Sequence, residues 1–219
     1  MKTTFLRRLI KQHTKLSRQH LTPEINLNLI TPECSLWTAN PEECPFQDPF
    51  WAFYWPGGQA LTRYIFDNPS LFWKKSILDI GSGCGSAALA CKLVGATQVV
   101  ANDIDPVAAV AIQMNMEENS AQISIDTSNL LNSPLKQHFD ILLMGDMFYD
   151  ADFAHSIDAW LCSIDYGYTA FIGDPGRLAF DQHPMKTLLK QVAEYQLTRI
   201  CQIENKGMSS GKVWMLKPS

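Results

Sequence analysis

Ser76-Ile-Leu-Asp-Ile-Gly-Ser-Gly-Cys-Gly-Ser86 is the stretch that decides the fold of this 219-residue chain. Ser76 to Ile80 is a short apolar run bounded by glycine, the pattern of a strand buried on both faces of a parallel sheet. Gly81, Gly83 and Gly85 let the backbone turn sharply and come close to a ligand, because none carries a Cβ. The small-residue run Ala87 to Val94 then reads as a helix that Gly95 ends. Strand, glycine turn and helix make the first unit of a nucleotide-binding α/β domain.

The residues around the turn narrow the ligand. A dinucleotide fingerprint wants Gly or Ala five residues after its first glycine, and Ser86 stands there instead. Asp79, two residues before Gly81, would repel a pyrophosphate and suits a cation. No Lys or Arg lies between Lys75 and Lys92 to meet phosphates. Gln98 to Asn102 reads as a second buried strand, with Asp103 at its carboxyl end. Asp103 follows Asp79 by 24 residues, close to the spacing at which a carboxylate meets ribose hydroxyls, a spacing that a nicotinamide site would share. Asp105-Pro106 is a helix start, with Asp at the N-cap and Pro at the first helical position, so Asp105 is assigned to capping.

Composition sets the outer bounds. At 46% hydrophobic the chain can bury one sizeable core, so one domain with an extension is expected. The net charge of −4 argues against nucleic acid as the main partner. No apolar run approaches membrane-spanning length, so no membrane contact is expected. The six cysteines form no Cys-x-x-Cys pair and read as reduced, buried thiols. The five scattered histidines give no metal site.

Residues 1–48 are expected to form an amino-terminal extension and residues 49–219 the main α/β domain. The first 23 residues carry six basic side chains and no acidic one before Glu24. Leu6, Leu9, Ile10 and His13 recur at helical spacing. Two readings stay open: a basic helix capping the domain, or a mitochondrial transit peptide. Residues 23–48 are irregular, with Ile25 to Ile30 and Leu36-Trp37 as candidates for an edge hairpin. The segment from Pro49 to Gly58 packs Trp51, Phe53, Tyr54 and Trp55 into five residues, more than a core cap requires. It either packs as a satellite core or walls a site that holds a cationic or aliphatic group, the reading preferred here, and a helix from Gln59 to Phe66 follows.

Beyond Asp105 the expected elements are a helix from Pro106 to Glu118 and short strands at Ile123 to Ile125, His138 to Met144 and Tyr168 to Ile172. A last helix from Met185 to Tyr195 precedes an antiparallel pair, Leu197 to Ile203 with Val213 to Leu216. Ligands of open parallel sheets bind at the carboxyl ends of strands. That rule places Asn129, Asp146 and Tyr149 at the site. Asn129 either reads an adenine edge or closes an Asx turn. Asp150 and Asp152 are assigned to capping a helix near Phe153. Arg177 either orients an acidic group or binds a carbonyl.

Asp79-Ile-Gly-Ser-Gly-Cys-Gly85 resembles the first motif of class I methyltransferases. Asp146-Met-Phe-Tyr149 resembles the Asp-x-Phe-Tyr motif of a subgroup of seven-β-strand protein lysine methyltransferases. Pro49 to Leu61, Ala101 to Pro106, Gly145 to Asp150 and Gly173 to Arg177 bring the chain nearest to those members that act on the electron transfer flavoprotein β subunit. The resemblance implies a single Rossmann-like domain with a mostly parallel seven-stranded sheet, an antiparallel carboxyl-terminal pair and an amino-terminal helical extension. It implies S-adenosyl-L-methionine as cofactor, held by Asp79, Gly81, Gly83, Gly85, Asp103 and Asn129, with Trp55 and Gly57 completing the pocket. Asp146 would recruit the lysine of the flavoprotein β subunit near its dehydrogenase-recognition loop, and Tyr149 would line the channel. A monomer is expected, in the mitochondrial matrix of a eukaryote or the cytoplasm of a bacterium.

Overall fold

The computed structural model describes residues 2–216. Met1 and residues 217–219, which the expected extension and domain include, lie outside them. In chain order the elements are α1 (Lys2–His13), β1 (Lys15–Ser17), β2 (Leu27–Leu29), α2 (Pro56–Asp67), α3 (Pro69–Phe72), β3 (Ser76–Ile80), α4 (Ser86–Leu93), β4 (Gln98–Asn102), α5 (Pro106–Glu118), β5 (Ser124–Asp126), β6 (Ile141–Gly145), α6 (Ala151–Ser163), β7 (Thr169–Asp174), α7 (Leu178–Asp181), β8 (Lys190–Gln196), α8 (Arg199–Glu204) and β9 (Ser210–Leu216).

The main sheet has the order β5-β4-β3-β6-β7-β9-β8. Its first five strands are parallel, and β9 runs antiparallel between β7 and β8. Strand order reverses at β3, between β4 and β6, which is the switch point where open α/β sheets bind their ligands. The central strands are buried on both faces, as their unbroken apolar runs require. One face packs on α2 and α4, through Leu61, Ile65, Ala88 and Leu89. The other packs on α6 and the chain after β7, through Ile157, Trp160, Phe148 and Phe180. Among the described residues no helix is long and apolar enough to cross a membrane.

The extension is built into this core. Ile25, Leu27 and Leu29 belong to the same buried cluster as α2 and α4. Helix α1 lays Ile10, fully buried, on Ala111 and Met114 of α5. One amide fastens both parts. Buried Asn115 accepts from the backbone and side-chain nitrogens of Asn28, both at 2.8 Å, and donates to the Cys84 carbonyl of the glycine turn.

The carboxyl-terminal third departs from the sequence expectation. Residues 185–195 are a 3-10 turn (Pro184–Leu188) followed by strand β8, not a helix. Leu188, Leu189, Val192 and Tyr195 fit a helical period, but β8 is an edge strand paired to β9 through a register shift at Gln191/Ala193, and pairing overrides the period. Residues expected as the first strand of the closing pair instead form α8, capped by Thr198, whose hydroxyl accepts from the Cys201 amide. Near the amino terminus, Leu27–Leu29 does form a hairpin strand. Its partner is Lys15–Ser17, while Leu36-Trp37 lies in a 3-10 turn.

Candidate active site

The glycine turn is held from below and from the side. Gly81, Gly83 and Gly85 all have positive φ (61°, 55° and 82°), backbone that side-chain-bearing residues adopt only under strain. Gly85 is the N-cap of α4, and Ser86, in the place of a fingerprint glycine, receives a hydrogen bond from Thr62 of α2 at 3.1 Å. Asp79 is 2% exposed beneath the turn. Its Oδ2 accepts from Ser82 Oγ and from the Ala88 amide, which leaves Oδ1 without a partner among the described residues. Burial pushes this carboxyl up to about 7, against the pull of its two donors.

Asp103 stands at the end of β4, beside the turn. Each of its oxygens accepts one backbone amide, Gly83 at 2.9 Å and Asp105 at 3.0 Å. A carboxylate offers about four acceptor positions, so one stays open on each oxygen. Two open positions on one side chain match the vicinal hydroxyls of a ribose. Burial raises the Asp103 carboxyl from its ordinary value, opposed by these two amides.

The segment after β6 gives every residue a separate task. Asp146 has φ 58° and is anchored by its amide to the Gly173 carbonyl. Met147 lies against Gly81, where a Cβ would overlap its sulfur. Phe148 is fully buried and packs edge-on against Phe180, with ring centroids 5.1 Å apart. Tyr149 is 61% exposed and stacks on Phe153; burial, then the charges of Asp150 and Asp103, holds its phenol above the ordinary value. Asp150 caps α6 by accepting from the Phe153 amide, and Asp152 sits in the first turn of that helix.

Asp146 is a saturated carboxylate. Oδ1 accepts from Arg177 Nε at 2.8 Å and Nη2 at 2.6 Å. Oδ2 accepts from the amides of Gly57 and Gly58, the first turn of α2. The side chain thus caps another element's helix, where backbone N–H groups and the macrodipole favour an anion. Burial still pushes its carboxyl up, while the guanidinium and the two amides work against that shift. The close approach depends on glycine: a Cβ on Gly57 or Gly173 would overlap the other's carbonyl oxygen, and one on Gly145 would meet Gly58 Cα at 2.9 Å.

The aromatic segment divides between core and site. Trp51 and Tyr54 are buried, Trp51 against Phe46 and Tyr54 against His20, with its hydroxyl 3.0 Å from Thr22 Oγ1. Trp55 is half-buried, its Nε1 donating to the Phe50 carbonyl, and the Arg177 guanidinium lies 5.8 Å from its ring centroid. Arg177 therefore orients an acidic group, the first of the two sequence readings. Its backbone amide is held by Asp174, fully buried, which also binds the Gly176 amide. Asn129 is exposed and accepts from the Leu131 amide, the Asx-turn arrangement, at the carboxyl end of β5. The structure thus brings Asp79, Gly81, Gly83, Asp103 and Met147 together, and separately Trp55, Gly57, Asp146 and Arg177. No local motif marks Asn115 or Met147 or chooses between the two roles open to Arg177, because long-range contacts define all three.

Comparison with known proteins agrees with this geometry. The family described as ribosomal protein L11 methyltransferase (PrmA) matches residues 66–145. Among solved structures, magnesium protoporphyrin IX methyltransferase from Synechocystis with bound SAM aligns at TM-score 0.55 and 16% identity, covering 74% of this chain and 80% of that one. The N-methyltransferase NodS from Bradyrhizobium japonicum in complex with S-adenosyl-L-homocysteine aligns at TM-score 0.54 and 14% identity, covering 81% and 96%. At such identities these two carry the fold alone. The electron transfer flavoprotein beta subunit lysine methyltransferase of Rattus norvegicus is 45% identical over 213 residues, 95% of this chain and 83% of that protein. That of Danio rerio is 47% identical over 202 residues, 91% and 78%. At this identity over more than nine-tenths of its length, the chain belongs to the electron transfer flavoprotein beta subunit lysine methyltransferase family.

Proposed function

We propose that this protein transfers a methyl group from S-adenosyl-L-methionine to lysine side chains of the electron transfer flavoprotein β subunit, near its dehydrogenase-recognition loop. The observation that carries the reading is the pairing, at one end of the sheet, of Asp103 with two open acceptor positions and a glycine turn whose own segment carries no Lys or Arg between Lys75 and Lys92. Such a pocket fits a ribose-bearing cationic ligand and is poor for a pyrophosphate. Gly81, Gly83 and Gly85 with Asp79 would hold its methionine portion and Asp103 its ribose, and the side-chain nitrogen of Asn129, which the Asx turn does not use, would meet the adenine. When bound, S-adenosyl-L-methionine supplies an electrophilic methyl group on a sulfonium.

The rest is the task of this chain's residues. A lysine, of ordinary pKa ≈ 10.4, must lose its proton before it can act as a nucleophile. The half-buried wall of Trp55 and the ring of Tyr149 favour the neutral amine by displacing water. Asp146 works first as a post: its Oδ2 fixes the two amides that follow Trp55-Pro56, and its Oδ1 fixes Arg177 over the indole. It meets the lysine directly only where Arg177 gives up one of its two hydrogen bonds. No side chain is assigned as general base, and water takes the proton. The protein acts as a monomer, without nucleic acid or membrane, in the mitochondrial matrix of a eukaryote or the cytoplasm of a bacterium.

Mass spectrometry of flavoprotein β subunit incubated with the protein and isotopically labelled S-adenosyl-L-methionine tests the reading. Labelled methyl groups on lysines of that subunit are expected. Labelling of a ribosomal protein or a small molecule in its place would move the chain to another substrate.

A further inference from the structure

Four large apolar side chains stand out at the carboxyl end of the sheet. Phe50 is 64% exposed, Ile104 66%, Tyr149 61% and Leu178 70%. Three of them stand within a few residues past strand ends: Ile104 past β4, Tyr149 past β6 and Leu178 past β7. Those strands and β3 are neighbours in the sheet, so the strand ends that these residues follow span three inter-strand steps, about 14 Å. Phe50 joins them through Trp55, their ring centroids 6.5 Å apart, and Trp55 lies under Arg177, next to Leu178. Exposed apolar residues scattered singly need no explanation, but a set ringing one site does.

Charge beside these residues in the sequence is acidic, and the other cations of this end, Lys212 opposite Asp174 and Arg199 and Lys206 beyond β8, lie toward the β9 and β8 edge of the sheet. Ile104 is flanked by Asp103 and Asp105, and Tyr149 is followed by Asp150 and Asp152. No Lys or Arg occurs between Arg18 and Arg63, which includes the segment bearing Phe50. Between Lys92 and Arg177 there is only Lys136, which lies on the loop leading to the opposite, amino end of β6. Arg177 itself is committed to Asp146.

We propose that Phe50, Ile104, Tyr149 and Leu178 form the docking rim for the protein substrate, and that the surface presenting the target lysine is apolar with basic residues around it. This rests on the lysine methyltransferase reading. The rim supplies apolar contact around the channel, while Asp105, Asp150 and Asp152 attract the partner's cations and set its orientation.

Steady-state kinetics with flavoprotein β subunit as the varied acceptor and S-adenosyl-L-methionine at saturation tests it. Ile104→Ser, Leu178→Ser and Phe50→Ser should each raise the acceptor KM about tenfold. The KM for S-adenosyl-L-methionine, kcat and the thermal midpoint should stay at wild-type values. Leu188→Ser is the control: Leu188 is 69% exposed but precedes β8, which runs parallel to β7, and so lies at the opposite end. It should change nothing. Added salt should raise the wild-type acceptor KM, and Asp152→Asn should weaken that dependence. Unchanged acceptor KM in both Ile104→Ser and Leu178→Ser, with the wild type active, overturns the rim and leaves the methyltransferase reading standing. A wild type that does not methylate the β subunit overturns the substrate itself.

Discussion

Arg177 places Nε and Nη2 at 2.8 and 2.6 Å from one oxygen of Asp146, and these two residues, 31 positions apart, join the ends of β6 and β7 to the start of α2. Asp146 keeps 3% of its side chain exposed and Arg177 21%. Removing one partner of such a pair leaves a buried charge with only the Gly57 and Gly58 amides to meet it. Arg177→Ala should therefore destabilise by about 3 kcal/mol in urea unfolding. Asp146→Ala with Arg177→Ala should cost clearly less than the sum of the single changes, because the stranded carboxylate is gone. Asp146→Ala alone should abolish methyl transfer while S-adenosyl-L-methionine still binds in calorimetry. Retained transfer would remove Asp146 from the machinery.

Asn115 couples the extension to the cofactor loop. Its amide meets the Asn28 backbone and side chain on one side and the Cys84 carbonyl on the other, at a fully buried position. Asn115→Ala leaves buried polar groups on both sides unpaired, at about 1–3 kcal/mol for each one that finds no water. The expected outcome is a protein several degrees less stable whose affinity for S-adenosyl-L-methionine falls as well, since Cys84 lies inside the glycine turn. Calorimetry on the folded variant checks it. Unchanged affinity would mean that the turn holds its shape without Asn115.

Much of this was legible in the chain itself, for a physical reason. The β3 strand, the glycine turn, β4 and the Asp105-Pro106 start of α5 are local signals, carried by residues within a turn of one another. Asp105 accepts from the Val107 amide at 2.7 Å, as capping requires. What escaped were matters of pairing. Residues 190–196 have a usable helical period and become a strand only because β9 is there to receive them. Asp146 looked free to take a lysine because nothing in Gly173-Asp-Pro-Gly-Arg177 says that its arginine folds back onto β6. Half of the aromatic segment is core: Trp51 faces Phe46, a contact no spacing rule foresees.

The glycines at the start of α2 admit a direct test. A Cβ on Gly57 would overlap the Gly173 carbonyl oxygen and lie 2.6 Å from Asp146 Oδ2, both of them fixed groups. Gly57→Ala must push α2 off the ends of β6 and β7, and a loss of about 2 kcal/mol or more is expected. Gly167 has nothing within 4 Å of such a Cβ, so Gly167→Ala should be neutral or slightly stabilising. Comparable thermal midpoints for the two variants would contradict the close packing.

Asp79 and Asp174 give stability an unusual pH dependence. Burial pushes both carboxyls up to about 7 from 3.8. The folded protein then holds a proton that the unfolded chain releases, so each group's contribution is complete below about pH 4 and is lost as pH rises toward about 7. Asp174 isolates the effect: its Oδ1 accepts from the Gly176 and Arg177 amides, while its Oδ2 is buried with no partner among the described residues. In Asp174→Asn the retained oxygen keeps both amides. The new amide nitrogen, lacking an acceptor, adds a penalty that does not depend on pH. Relative to wild type the variant should gain stability steadily between about pH 4 and pH 7, by up to about 4 kcal/mol, and then level off. Urea unfolding across that range measures the slope. Parallel curves for the two proteins would show that Asp174 is ionised in the folded state throughout.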